Sequence, residues 1–254
     1  MTEHLTTAPT VADCTPADRI TKSLLGYGVI AGPFYVLVAL AQAFTREGFD
    51  LSVHQWSLLA NGGPGWIQIA NFAITGLMVI AFAVGLRRAL TPGPGARWAP
   101  RLVAVYGASL VAAGIFRADP ALGFPVGTPA GPGPVSWHGL LHFAAGGIGF
   151  TCLAIACIVV GHRYATEGAR GLAWFSRVTG VVFLAGFAMV ASGGGSRTAN
   201  LAFTAAVILI WVWMTTIALD RYRRVGRTNH TDTTQNLTDK PRQEEQRPCA
   251  TSCC

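Results

Sequence analysis

The chain has 254 residues, of which 51% are hydrophobic and only 12% charged, with a formal net charge of +7 and a mean hydropathy of +0.42. A soluble domain carries about 25% charged residues, so this composition excludes a water-soluble enzyme domain, a disordered chain and a disulfide-stapled miniprotein. An all-α, polytopic membrane protein remains.

Residues 1–21 form a polar segment of mixed charge with no signal-peptide pattern, so the first helix is expected to be a retained anchor. A spanning helix needs about 20 mostly apolar residues. Charge-poor windows predict six of them, over 24–45, 65–86, 100–118, 137–161, 174–192 and 198–219. The third is short, and charged residues at its ends must snorkel. Residues 221–254 form a polar tail that cannot bury a core and is expected to be disordered, with triplets of glycosylation type at Asn229 and Asn236. Cys152 and Cys157 read as small apolar fillers. Cys14, Cys249, Cys253 and Cys254 make no repeated CxxC pair, and the terminal pair does not match the prenylation box.

Basic residues alternate between loops. Arg87, Arg88, Arg97 and Arg101 follow helix two, Arg163 and Arg170 follow helix four, and Arg221, Arg223, Arg224 and Arg227 begin the tail. The other loops carry about one arginine each (Arg46, Arg117, Arg197). The alternation predicts a plasma-membrane protein with both termini cytoplasmic. The 221–227 stretch is then placed against anionic inner-leaflet lipid. There is no folded basic domain for nucleic acid.

Helices two, four and six begin alike. Trp66 to Thr75 contains Asn71, Trp137 to Gly146 contains His142, and Ala199 to Thr204 contains Asn200. Each polar residue precedes an apolar residue and then alanine, a pattern that three repeated hairpins would produce. Chance among alanine-rich segments would also produce it.

The chemistry-capable residues gather in the outer loops: Asp50, His54, Trp56 and Ser57 in the first, Arg117, Asp119, Pro120, Ser136 and His138 in the second, Arg197 in the third. His138 and His142 are spaced i,i+4, which puts both imidazoles on one helix face within reach of one metal ion. His54 or Asp119 could supply a third ligand, and such a set suits Zn²⁺ with an open position for water. The alternative has each histidine hydrogen-bonded between helices, with Trp137 as an interfacial anchor. Haem is a poor fit, because the two histidines share one face. Asp119-Pro120 serves simply to end helix three on one reading, with Arg117 snorkelling or pairing with Asp119. Arg197 could clamp an anionic group or be the solvated charge of a turn. Trp56 and Trp66 read as interface anchors, and Gly146 and Gly147 as sites of close helix packing.

Three segments carry a family likeness: Leu58 to Trp66 with Asn71-Phe72, Gly114 to Pro120, and Ser136-Trp-His138 followed by His142-Phe143. Together they resemble the bacterial and archaeal membrane family called domain of unknown function 998, over residues 20–220. That resemblance implies about six helices and no particular activity. Arg117 departs from the small or uncharged residue expected there. A fainter similarity exists to the alkaline ceramidases and adiponectin receptors, membrane hydrolases that use His, Ser, Asp and a paired His-x-x-x-His. His54, Ser57, Asp119, His138 and His142 supply those residue types, in a different order and with one helix fewer, so the likeness is analogy.

Three uses compete for an outer-face polar pocket. It could serve a binding or structural module. It could serve a zinc hydrolase of lipids or amides, in which Asp119 accepts a proton, Ser57 takes part and Arg197 steadies charge. It could belong to a small-solute transporter. Asn71, Asn200, Trp56 and Arg197 are the candidate substrate contacts. Mid-helix polar groups are few (Thr75, Ser109, Thr151), which weighs against a transport path.

Overall fold

A computed structural model describes residues 15–192 and 196–226. The sequence expectations for residues 1–14, the tail from 227, the terminal cysteines, Asn229, Asn236 and Arg227 lie outside the described residues. Six α-helices follow one another: α1 (Pro16–Thr45), α2 (Gly65–Leu90), α3 (Trp98–Ile115), α4 (Trp137–Thr166), α5 (Arg170–Ala191) and α6 (Arg197–Arg224). A short 3₁₀ turn, Trp56–Ala60, lies between α1 and α2. All six α-helices are long and apolar enough to cross a membrane. Helices are the form this composition demands, because lipid offers no partner for backbone N–H and C=O groups and a helix satisfies its own.

Five of the helices run beyond the charge-free windows, because those windows measure lipid, not helix. α1 begins at Pro16, where Thr15 and Asp18 form a reciprocal capping box and proline occupies the first turn. α6 continues to Arg224, so Arg221, Arg223 and Arg224 are helical rather than part of a disordered tail. Ser136 and Ser196 cap α4 and α6 through the amides of Gly139 and Ala199. α3 ends the other way. It stops at Ile115, with Phe116 extended, so Asp119-Pro120 lies beyond the helix instead of ending it.

Each helix packs on its chain neighbours, and α6 closes on α1. The result is a ring of six antiparallel helices. One face carries the start of α1, the end of α6 and the α2–α3 and α4–α5 turns. The opposite face, here the loop face, carries residues 46–64, 116–136 and the α5–α6 turn. Close approach in the ring rests on glycine. A Cβ on Gly76 would lie 2.6 Å from the carbonyl oxygen of Gly107, and one on Gly107 2.7 Å from that of Gly76, so α2 and α3 touch backbone to backbone. Gly180 seats α5 against Ala154 and Cys157 of α4. Gly146 and Gly147 do not serve this purpose. A Cβ on Gly146 meets nothing within 4 Å, and one on Gly147 meets only the far edge of Phe187.

Candidate functional site

The loop face is a built cap. His54 is buried between the two long loops. Its Nδ1 accepts from the Asp50 amide at 2.8 Å, and its Nε2 lies 3.0 Å from the Leu122 carbonyl oxygen, to which it donates. Phe49, His54 and Phe124 pack ring against ring, and the Arg46 guanidinium lies 4.8 Å over Phe124. Arg46 also donates to the carbonyls of Leu59 and Asn61, holding the 3₁₀ turn down, and its burial lowers its pKa. Asn61 donates to the Ala118 carbonyl. Arg197 donates to Ser52 and pairs with Asp50 at 3.5 Å, while Asn200 donates to the carbonyls of Leu51 and His54. Hydrogen bonds from Ser52, helped by Arg197, hold the Asp50 carboxyl below the ordinary carboxylate range. These bonds tie α6 to the first loop.

Beneath the cap lies a chamber of about 510 Å³, in the half of the bundle nearest the loops. Its wall is aromatic. Phe150 of α4, Phe183 and Phe187 of α5 and Phe203 of α6 meet with ring centroids 5.0–6.4 Å apart. Tyr35 and Tyr106 line its deep end, with Trp211 wedged between them at 5.2 and 5.9 Å. Trp56, Ser57 and Leu58 line the side under the cap. The polar contribution is small: Gln55, Ser57, Ser109, Asp119, His142 and Thr204, the hydroxyls of Tyr35 and Tyr106 and the indole N–H of Trp56, and among the described residues no lysine or arginine.

The chamber borders a loosely packed stretch. Residues 137–148 of α4 and 187–191 of α5 contain no buried residue, whereas both helices are well buried further in, from Gly149 in α4 and up to Gly186 in α5. Leu140 and Phe143 line the chamber and are exposed as well. Asp119 stands at a second boundary. It lines the chamber and also a cleft of about 480 Å³ walled by the second long loop. Its carboxylate accepts from the amide and the hydroxyl of Ser136, which fixes the loop to the start of α4.

Of the residues singled out from sequence, four come together around the chamber: Trp56, Ser57, Asp119 and His142. His138 does not join them. It is stacked on Trp137 and faces Phe116, at 3.5 and 6.1 Å between ring centroids. Asn71 sits in a seam between α1 and α2, donating to the Tyr35 carbonyl and to Gln68. The expected metal ligands His54, His138 and His142 are not brought together as one group. Among the described residues no three His, Cys, Asp or Glu side chains group to hold a metal ion. His54 has both ring nitrogens engaged by backbone, and Nδ1 of His142 is engaged by the Phe116 and Ala113 carbonyls. Arg197 and Asn200, expected as substrate contacts, tie α6 to the first loop of the cap. Among the described residues no histidine or carboxylate is hydrogen-bonded to Ser57. The paired starts of α2 and α4 do behave alike, since Asn71 and His142 each bond carbonyls of the preceding helix, but Asn200 bonds a loop.

Sequence reasoning missed the phenylalanine wall and a charged knot at the face opposite the loops. Phe183 and Phe187 at i,i+4 on α5 were the available signal for the wall. In the knot, Arg221 forms a two-bond fork with Glu167 at 2.8 Å each, Arg163 and Arg224 also pair with Glu167, and Tyr164 donates to Asp220 at 2.7 Å. The Arg221 side chain is only 4% exposed, so this residue of the 221–227 stretch is spent on protein rather than presented to lipid.

Helix number and apolar surface define a multi-pass integral membrane protein, and its intrabundle chamber is predominantly apolar. Residues 29–220 match the family model described as protein of unknown function (DUF998), and the chain belongs to that family. No curated protein and no solved structure matches it.

Proposed function

We propose that this protein is a binding module of the plasma membrane that takes the apolar chain of a bilayer amphiphile into the chamber beneath its cap. The observation that carries the reading is the chamber itself. Its volume of about 510 Å³ lies within the range of about 300–1,000 Å³ of small-molecule sites, which are mostly apolar with a few polar groups. Water gains little from filling a phenylalanine-lined space, because a buried water needs 2–4 polar partners. An acyl or isoprenoid chain loses no hydrogen bond there. The loosely packed stretch of α4 and α5 gives such a chain a short path from lipid.

Arginine placement supports the sidedness, with the loop face outside and both termini in the cytoplasm. Binding is favoured over passage because the tyrosines and Trp211 close the deep end and the bundle below them is filled by buried side chains. No feature around Ser57 or the histidines favours hydrolysis.

Gly146→Phe tests the proposal. A side chain at this position projects into open space and should fill the chamber without disturbing helix packing. Protein gently extracted and examined by native mass spectrometry should carry an amphiphile adduct that Gly146→Phe lacks, at unchanged helicity. Equal adducts in both proteins, or none in the wild type, would overturn the reading.

A further inference from the structure

The polar groups that reach the chamber are unevenly matched, and that imbalance names a ligand head. His142 lines the chamber. Its Nδ1 lies 2.8 Å from the carbonyl oxygen of Phe116 and 3.2 Å from that of Ala113. A carbonyl oxygen only accepts, so Nδ1 must carry the ring hydrogen. At about pH 7.5, above the ordinary imidazole value of about 6.5, the ring is uncharged and Nε2 bears a lone pair. That nitrogen has no hydrogen-bond partner among the described residues. The α3 carbonyls thus fix a tautomer that turns His142 into an acceptor. The fold reads as built for this, because α3 stops at Ile115 and leaves those carbonyls without a continuing helix to bond.

The one carboxylate on the chamber wall, Asp119, stands at the junction with the loop cleft. It too only accepts. Gln55, Ser57, Ser109, Thr204 and the hydroxyls of Tyr35 and Tyr106 can act either way, and the Trp56 indole N–H, without a partner among the described residues, can only donate but is itself wholly buried. Among the described residues no lysine or arginine lines the chamber, and the arginines of the cap, Arg46 and Arg197, are engaged elsewhere. A phosphate or carboxylate head brought here would meet a like charge and an imidazole lone pair, with no cation to offset either. A head that donates hydrogen bonds meets complementary partners.

Resting on the reading of the chamber as a chain-binding site, we infer that its ligand is a single-chain amphiphile with a hydrogen-bond-donating, non-anionic head, a hydroxyl or an amine, held at His142 Nε2 beside Asp119. The chain lies along the phenylalanine wall and the head faces the loop cleft.

The experiment uses the full-length protein in a detergent with a bulky sugar head, at about pH 7.5, and native mass spectrometry with three chain-matched probes: hexadecanol, hexadecylamine and hexadecanoate. Hexadecanol, hexadecylamine or both should bind at least about tenfold more tightly than hexadecanoate, a difference of about 1.4 kcal/mol. Which of the two binds better distinguishes hydroxyl from amine. His142→Phe keeps an aromatic body and removes the acceptor, so it should retain chain binding and lose most of the preference. Asp119→Asn should raise hexadecanoate binding by about tenfold; should it disturb the loop through lost Ser136 bonds, His142→Phe still decides. If hexadecanoate binds as well as the other two, or if His142→Phe keeps the full preference, the head-group inference is wrong while the chamber remains a chain site. If no probe binds, or all bind equally to Gly146→Phe, the chamber reading fails as well.

Discussion

Glu167 receives three arginines, and its titration follows from them. Burial alone would raise its carboxyl pKa, but the hydrogen bonds and charges of Arg221 and Arg163 outweigh burial and leave it below the ordinary carboxylate value. A depressed folded pKa contributes stability that is present above the unfolded value and is lost as pH falls through the folded one. Thermal unfolding in detergent should therefore show the protein losing stability below about pH 4.5, near the unfolded glutamate value of about 4.3. Glu167→Gln should flatten that limb and lower stability at neutral pH by about 2–3 kcal/mol. The loss falls below the range for removing one partner of a wholly buried pair, because Glu167 keeps 18% of its side chain exposed. Arg221 shows why sequence misplaced this residue. A basic residue at a helix end reads as lipid-facing until its partner, 54 positions earlier in the turn that ends α4, is known.

The helices owe their contacts to where side chains are missing. Gly76 and Gly107 let α2 and α3 meet at backbone distance, whereas a Cβ on Gly26 of α1 meets nothing. Gly76→Ala should destabilise the bundle by about 1–3 kcal/mol through overpacking. Gly26→Ala should be neutral or stabilise by up to about 1 kcal/mol through helix propensity. Melting temperatures of the two variants separate the effects. Pro33 inside α1 has its own remedy. Proline has no N–H for the Val29 carbonyl four residues back, and Thr215 of α6 offers its hydroxyl there at 3.4 Å. Hydropathy marked five helix cores closely but gave no sign of the turn Trp56–Ala60. Its apolar residues are too few for a span, and only Arg46 reaching back to Leu59 and Asn61 makes it a lid.

The closed ring sets the molecule's two faces apart, and the proposed sidedness can be read chemically. In a background with the native cysteines removed, a single cysteine at Trp137 should react with an impermeant maleimide added to intact cells. One at Arg223 should react only after the membrane is opened; labelling of both from the same side would refute the threading. Composition by itself determined the solvent, because 12% charged residues cannot clothe a soluble globule, and charge-free windows of about 20 residues determined the number of helices. The family likeness was legible too, in three short segments taken together. The site was legible only as an inventory of polar residues. Sequence spacing brought His138 and His142 to one helical face, but it could not show that the Phe116 and Ala113 carbonyls engage one ring and that Trp137 covers the other. Nor could it show that His54, Asn200 and Arg197 are consumed by the cap. Spacing along one helix is local, whereas the partner that satisfies a polar group is chosen by which distant backbone the packing brings within 3 Å. For that reason the tertiary structure alone decided that the polar pocket is an apolar chamber with a few acceptors at its rim.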